Sequence, residues 1–291
     1  MKKIITIFIL PNEIDLYRDL INRIQNDIIN YQLEDFWIDS TLCVSEEMVN
    51  WDESSVSKQQ IIQWYNEINK DIKGDFSIDY NGEIQGCVDK RRESNPNKYP
   101  QAISFTWLDA DILFPEGSLY ILNESVNNLK GSNFILTPQY PKMWDSSWDI
   151  LVHPNFQNIP YNYMGLPNYN PEEYYGIYGE VSLKLLNLGV FKFGGGHLTT
   201  LSPTILSLIP IPDSFAPYGE EDTFIMVGCS NLWKKYNINQ YIIENLVYSQ
   251  KNRDHIDRRK DIVLHDKKHI FRKTSLNNFQ PELYKILNNL T

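Results

Sequence analysis

Apolar positions in the first half of the chain fall into short continuous runs separated by helical repeats. Ile4 to Leu10 is an unbroken apolar run, and Ile14, Tyr17, Ile21, Ile24 and Ile28 then recur every three or four residues. That pattern predicts a core strand followed by an amphipathic helix over 13–30. Residues 35–45 predict a second strand, and Ile61, Tyr65, Ile68 and Ile72 a second helix. AISFTWL, residues 102–108, reads as another buried strand, and Pro115 with Leu119, Leu122, Val126 and Leu129 opens the next helix. Strands alternating with helices favour an α/β fold with a mainly parallel central sheet flanked by helices.

The pattern changes between Pro138 and Glu180. This stretch holds 6 of the 15 prolines and 7 of the 18 tyrosines and shows little periodicity, so it reads as a long irregular insert. It is too aromatic for a disordered segment, and inserts of this length in a compact domain are commonly functional. A strand-like run over 181–193 follows, then a strand from Tyr241 to Tyr248, then a basic tail containing histidines. No internal repeat or linker divides the chain.

With 291 residues, 42% of them hydrophobic and 13% aromatic, the chain has ample core material. Its formal net charge of -10 argues against a nucleic-acid partner, because Lys and Arg supply most of the affinity for a polyanion. Cys43, Cys87 and Cys229 are widely spaced and show no CxxC pattern, which indicates neither a disulfide framework nor structural zinc. A reducing, cytoplasmic setting is the simpler expectation. The run Ile4 to Leu10 meets Pro11 and two acids at once, so it reads as a strand rather than a signal peptide. No segment approaches the roughly 20 apolar residues of a membrane span, and any membrane contact would be peripheral.

The candidate chemistry begins at TWLDADILFP. Asp109 and Asp111 lie two residues apart where the apolar strand ends, so both carboxylates fall on one side of an extended chain. Ligands of open α/β sheets bind beyond the carboxyl ends of the strands, and paired carboxylates there suit a Mg²⁺ or Mn²⁺ ion on a diphosphate. Two Asp residues starting a turn would give the same string; the apolar residues on either side favour a site, since buried carboxylates need a partner. Farther on, LGVFKFGGGHLTTLSP places Gly194, Gly195 and Gly196 at a break where the backbone can approach a ligand closely, or simply turn, with Thr200 or Ser202 capping a helix after Pro203.

In SFAPYGEEDTFIM, Glu220, Glu221 and Asp222 open a helix that carries Phe224, Ile225 and Leu232 on its apolar side. Acids in a first turn are favoured by the helix dipole, and one of them aimed into a cleft is also a candidate general base; local sequence leaves both readings open. DIVLHDKKH places His265 at the end of a short apolar strand, where an imidazole could complete a metal shell, with His255 and His269 as competitors. Arg91 and Arg92, in the loop before the acidic strand, are candidates for holding an anionic ligand. Trp144, Trp148, Tyr161 and Tyr163 of the insert are candidates for an aromatic platform under a sugar, or else simply pack their own loop.

Taken in order, these segments resemble the GT-A glycosyltransferases, nucleotide-sugar enzymes built on one Rossmann-like domain. TWLDADILFP is similar to the family's D-x-D segment, FGGGHLTTLSP with YGEEDTFIM to the FGG…GGED region of inverting β-1,4-galactosyltransferases and related bacterial enzymes, and HDKKH to a late metal-binding histidine segment. The resemblance implies a single domain over 1–291: a nucleotide-sugar-binding half over 1–114, an acceptor-binding half over 115–270 with the insert at 138–180, and a C-terminal tail over 271–291. It implies donor contacts from Asp109, Asp111, Arg91, Arg92, Gly195 and Gly196, a metal held by Asp111, Asp109 and His265, and Asp222 as catalytic base. GEED replaces GGED here, so Glu221 shares that candidacy. The implied partners are a UDP- or GDP-sugar donor and a glycan or glycoconjugate acceptor. A retaining enzyme of the same fold, a sugar nucleotidyltransferase and a non-catalytic carbohydrate-binding protein are the alternatives. The loop after the first strand reads ILPNEID rather than GxGxR, which weakens the nucleotidyltransferase reading.

Overall fold

Alternate residues of the strands feed two separate cores, and a single sheet divides them. A computed structural model describes residues 1–44, 56–80, 86–141, 150–158, 173–186, 191, 198–251 and 255–290, with side chains undescribed over 255–268. In chain order the elements begin with β1 (Lys2–Ile9), α1 (Ile14–Asn30), β2 (Phe36–Cys43), α2 (Lys58–Asn69), β3 (Gly74–Asp79) and α3 (Cys87–Glu93). Next come β4 (Ala102–Leu108), the short β5 (Ile112–Leu113), α4 (Ser118–Asn128), β6 (Asn133–Gln139), β7 (Gly176–Ile177) and β8 (Leu183–Leu186). The chain continues through β9 (Leu198–Leu201), α5 (Pro203–Leu208), α6 (Glu221–Tyr236), β10 (Ile238–Val247), β11 (Ser249–Gln250) and α7 (His255–Leu290).

Nine strands form one sheet in the order β3-β2-β1-β4-β9-β6-β10-β7, with β8 also pairing β10. Strands β1, β2, β3, β4, β6 and β10 all run in one direction, whereas β7, β8 and β9 oppose them. The architecture is therefore the expected α/β one with a mainly parallel sheet. Because successive side chains of a strand point to opposite faces, Ile5, Ile7 and Ile9 of β1 join one core with α1, α2 and α4, including Tyr17, Ile21, Ile24, Ile61, Tyr65 and Leu122. Ile4, Phe105 and Trp107 enter the other core with α5, α6 and α7.

Several local expectations are corrected. Arg91 and Arg92 lie on a helix, α3, rather than in a loop. Thr200 is no helix cap: Leu198–Leu201 inserts as an antiparallel strand between β4 and β6. The hydroxyls of Thr106 and Thr200 meet across that pairing at 2.8 Å. Ser202 stands at the N-cap of α5 without bonding it; its Oγ accepts from Phe134 N at 3.1 Å. Of the run 181–193, only Leu183–Leu186 is a strand among the described residues. The largest correction concerns the tail, where His265 falls inside the long helix α7 and not at a strand end. The apolar triplet before it is too short to distinguish strand from helix. The 36 residues of α7 contain no glycine and a single proline, Pro281, so nothing breaks the helix between them. Residues 271–290 belong to this same helix and dock on the core through Phe279 and Leu283.

The three cysteines are free thiols. Among the described residues no helix is long and apolar enough to cross a membrane.

Candidate active site

The parallel strands all end at one edge of the sheet, and the acidic residues singled out from the sequence collect there. Asp109 follows the last residue of β4, with its side chain 39% exposed. Facing it, α6 begins at Glu221 after a turn in which Gly219 (φ +90°) and Glu220 (φ +73°) are both left-handed. Between them lies Arg91 from α3. Its guanidinium donates to Glu221 Oε1 and, at 3.1 Å, to Asp109 Oδ1, and it lies 5.1 Å from the ring centre of Trp107. Arg91 and Glu221 are both nearly enclosed, with side-chain exposures of 9% and 4%. Burial works against the Arg91 charge, but Glu221 and then Asp109 outweigh it and keep the guanidinium protonated.

Asp222 is next to Glu221 but differs in environment. Burial, then the negative charge of Glu221, pushes its carboxyl up to about 7, with Arg91 and a hydrogen bond from Thr223 N acting in the opposite direction. Three tyrosines surround the acids. Tyr218 is raised by burial and by the negative charges of Glu221, Asp222 and Asp109 nearby, so its hydroxyl stays protonated. Tyr140 follows β6 and Tyr248 follows β10, and their rings meet edge to face at 4.8 Å. Burial raises both, and Asp222 contributes to the shift of Tyr140 as Asp109 does to that of Tyr248.

Asp111 takes partners different from those of Asp109. Its carboxylate accepts from Gln250 Nε2 at 2.9 Å and its carbonyl from Lys251 N at 2.8 Å, so the small β5–β11 ribbon holds it in place. It lines a cavity of about 120 Å³ together with Asp19, Arg23, Tyr175 and Lys251. Arg92 is also occupied: it bonds Asp89 and donates to the carbonyls of Pro212 at 2.9 Å and Phe215 at 3.1 Å, fastening the segment that leads into α6.

Asp109, Glu221 and Asp222 thus come together, linked by Arg91, while Asp111 sits beside the cluster in a pocket of its own. Gly195, Gly196, Trp144, Trp148, Tyr161 and Tyr163 lie outside the described residues, as does the side chain of His265. Tyr140, Tyr248 and Gln250 escaped the sequence reading. The rule that ligands gather beyond strand ends points to Tyr248, the last residue of the strand read over 241–248, and would have flagged Tyr140 had the end of β6 been located.

Among the described residues no group of three or more His, Cys, Asp or Glu is placed to hold a metal. The acids at this edge do not form a closed ligand set, since Asp109 is paired with Arg91 and Asp111 is buried against Gln250; they suit only a hard cation that brings most of its own shell. Mg²⁺ is usually held by one or two carboxylates together with water and substrate phosphates.

No protein-family model matches the chain, and no curated protein matches it. Among solved structures it is similar to S. aureus TarS, at 12% identity over 85% of this chain with a TM-score of 0.47. The chain corresponds to 59% of that TarS chain. It is also similar to glucosyl-3-phosphoglycerate synthase from Mycobacterium tuberculosis, solved with Mn²⁺, uridine diphosphate and glucosyl-3-phosphoglycerate, at 12% identity over 88% of this chain and 74% of that one, with a TM-score of 0.46. Likenesses this distant leave the function to the residues of the site itself.

Proposed function

We propose that the chain is a glycosyltransferase that moves a sugar from a nucleoside-diphosphate sugar to a carbohydrate hydroxyl with inversion, assisted by Mn²⁺ or Mg²⁺. The observation that carries this reading is Asp222, a carboxyl raised to about 7 at the open edge of the sheet, set across from Asp109 and joined to it through Arg91 and Glu221. A base titrating near the working pH can take a proton from a sugar hydroxyl and still exist largely in its reactive form. The resemblance of TWLDADILFP and YGEEDTFIM to the GT-A motifs supports the same assignment.

The division of labour follows from the partners. Glu221 is committed to Arg91 as a buried counter-ion, which leaves Asp222 to face the acceptor. In the single displacement, the acceptor O–H proton passes to the Asp222 carboxylate as the acceptor oxygen bonds the anomeric carbon. The bond from that carbon to the diphosphate oxygen breaks, and the nucleoside diphosphate departs. Asp109 and Asp111 would hold the cation, which when bound would supply charge neutralisation for that leaving group. Arg91, held protonated beside Asp109, adds a fixed positive charge on the same side. The N-terminus of α6 presents its dipole to the ionised base.

The test is release of nucleoside diphosphate from a panel of nucleotide sugars with Mn²⁺, in the presence of mixed saccharide acceptors. Turnover should appear with at least one donor and vanish in Asp222→Asn, while that variant still binds the nucleoside diphosphate. Wild-type turnover persisting in Asp222→Asn would remove the base role. Absence of any nucleotide binding in the presence of Mn²⁺ would overturn the enzyme class.

A further inference from the structure

The turn that leads into α6, and so to Asp222, draws on contacts from outside that helix. The N-cap of α6, Glu220, has no side-chain capping bond, and both it and Gly219 adopt left-handed backbone conformations. Glycine occupies that region freely, but a residue with a Cβ is strained there. Such conformations persist only where the surroundings impose them.

Here the surroundings are α7. Arg272 Nε donates to Glu220 Oε1 at 2.6 Å. A Cβ on Gly219 would sit 3.5 Å from Arg272 Cβ and 3.6 Å from its Cα, so the α7 backbone lies directly against the turn. Farther along the helix, Asn278 Nδ2 donates to Ser214 O at 2.9 Å, and Ser275 Oγ accepts from Ala216 N at 3.2 Å. Phe279 packs edge to face on Phe224 at 5.2 Å. The helix therefore grips the segment 214–220 at several points, and Arg272 is the one nearest the acids. Its own side chain is 62% exposed whereas that of Glu220 is 8% exposed. An ordinary surface ion pair has both partners in water and contributes little; this one reaches in to anchor an enclosed carboxylate.

Resting on the base role of Asp222, we propose that Arg272 is a positioning residue: by holding Glu220 in its left-handed conformation, the C-terminal helix sets the entry of α6 and so the placement of Asp222. The α7 helix is then a working part of the catalytic edge rather than a tail.

Misplacement of a reacting group by about 1 Å can cost about 100-fold in rate, so Arg272→Ala should lower kcat by at least about tenfold while the donor KM stays near wild type. A rescue separates positioning from bulk stability. Glu220→Gly removes both the left-handed penalty and the buried carboxylate, so the double variant Arg272→Ala/Glu220→Gly should recover most of the kcat lost in Arg272→Ala. Circular dichroism establishes that each variant is folded; if Arg272→Ala is not, Arg272→Lys, which keeps the stem and charge but loses Nε, takes its place in the same pair. A folded Arg272 variant with unchanged kcat, or a double variant no better than the single, would overturn the proposal. A wild-type protein without turnover would instead overturn the glycosyltransferase reading, so the two failures are distinct.

Discussion

Arg91 and Glu221 form a buried ion pair across 130 positions of sequence. The pair ties α3 to the first turn of α6, and through its second hydrogen bond, to Asp109, it reaches the end of β4. One guanidinium therefore links the acid proposed to face the donor with the acid that adjoins the proposed base.

Removing one member of a buried pair strands the other. Arg91→Ala should destabilise the fold by about 3–5 kcal/mol, read from urea unfolding. It should also raise the pKa of Asp222 further, because Arg91 is among the groups that lower it. Carboxyl titration by NMR checks the second effect, and an unchanged or lower Asp222 value would contradict the electrostatic assignment.

The value near 7 for Asp222 predicts both a rate profile and a stability profile. Activity should rise through about pH 7 as the carboxyl ionises and then level off. For stability, the folded state keeps its proton where the unfolded chain, with an ordinary carboxyl at about 4, has lost it, so folding is progressively disfavoured as pH rises from about 4 to about 7. Asp222→Asn should therefore be more stable than wild type at pH 8, with the gain disappearing toward pH 4. Equal urea midpoints at both pH values would argue against a raised carboxyl.

The cation prediction concerns linkage between metal and nucleotide. Thermal shifts with UDP or GDP should be small alone and large with Mn²⁺, since a ligand at 100 times its Kd adds about 2.7 kcal/mol of stability. Asp109→Asn should remove the metal-dependent part. Equal shifts in EDTA would sink the role of this acid in holding the cation.

A structural prediction concerns Asp27, whose carboxylate accepts from Gly117 N at 2.7 Å and Leu119 N at 2.8 Å and so caps α4 from within α1. Asp27→Ala leaves two buried donors unmet and should cost about 2 kcal/mol or more in unfolding free energy. Asp27→Asn, which keeps one acceptor oxygen, should cost less.

Periodicity alone determined the early architecture of this protein. The run Ile4 to Leu10, the helical repeat from Ile14 to Ile28 and the strand 102–108 correspond to β1, α1 and β4, because a buried strand or an amphipathic helix writes its burial directly into its sequence. Asp109 and the helix opening at Glu221 were legible for the same reason: each sits where a regular apolar pattern stops or starts. The tertiary structure decided what no local pattern encodes. Leu198–Leu201 became a central strand because β4 and β6 were there to pair with it, and His265 joined a helix whose inner face is defined only by the core it covers. Above all, the fold gives Glu221 and Asp222 different surroundings. Two adjacent acids are near equivalents in sequence, but the approach of Arg91 from a distant helix makes one a counter-ion, while burial beside that pair raises the carboxyl of the other, the proposed base. Electrostatic roles depend on distance and burial, and those exist only once the chain has folded.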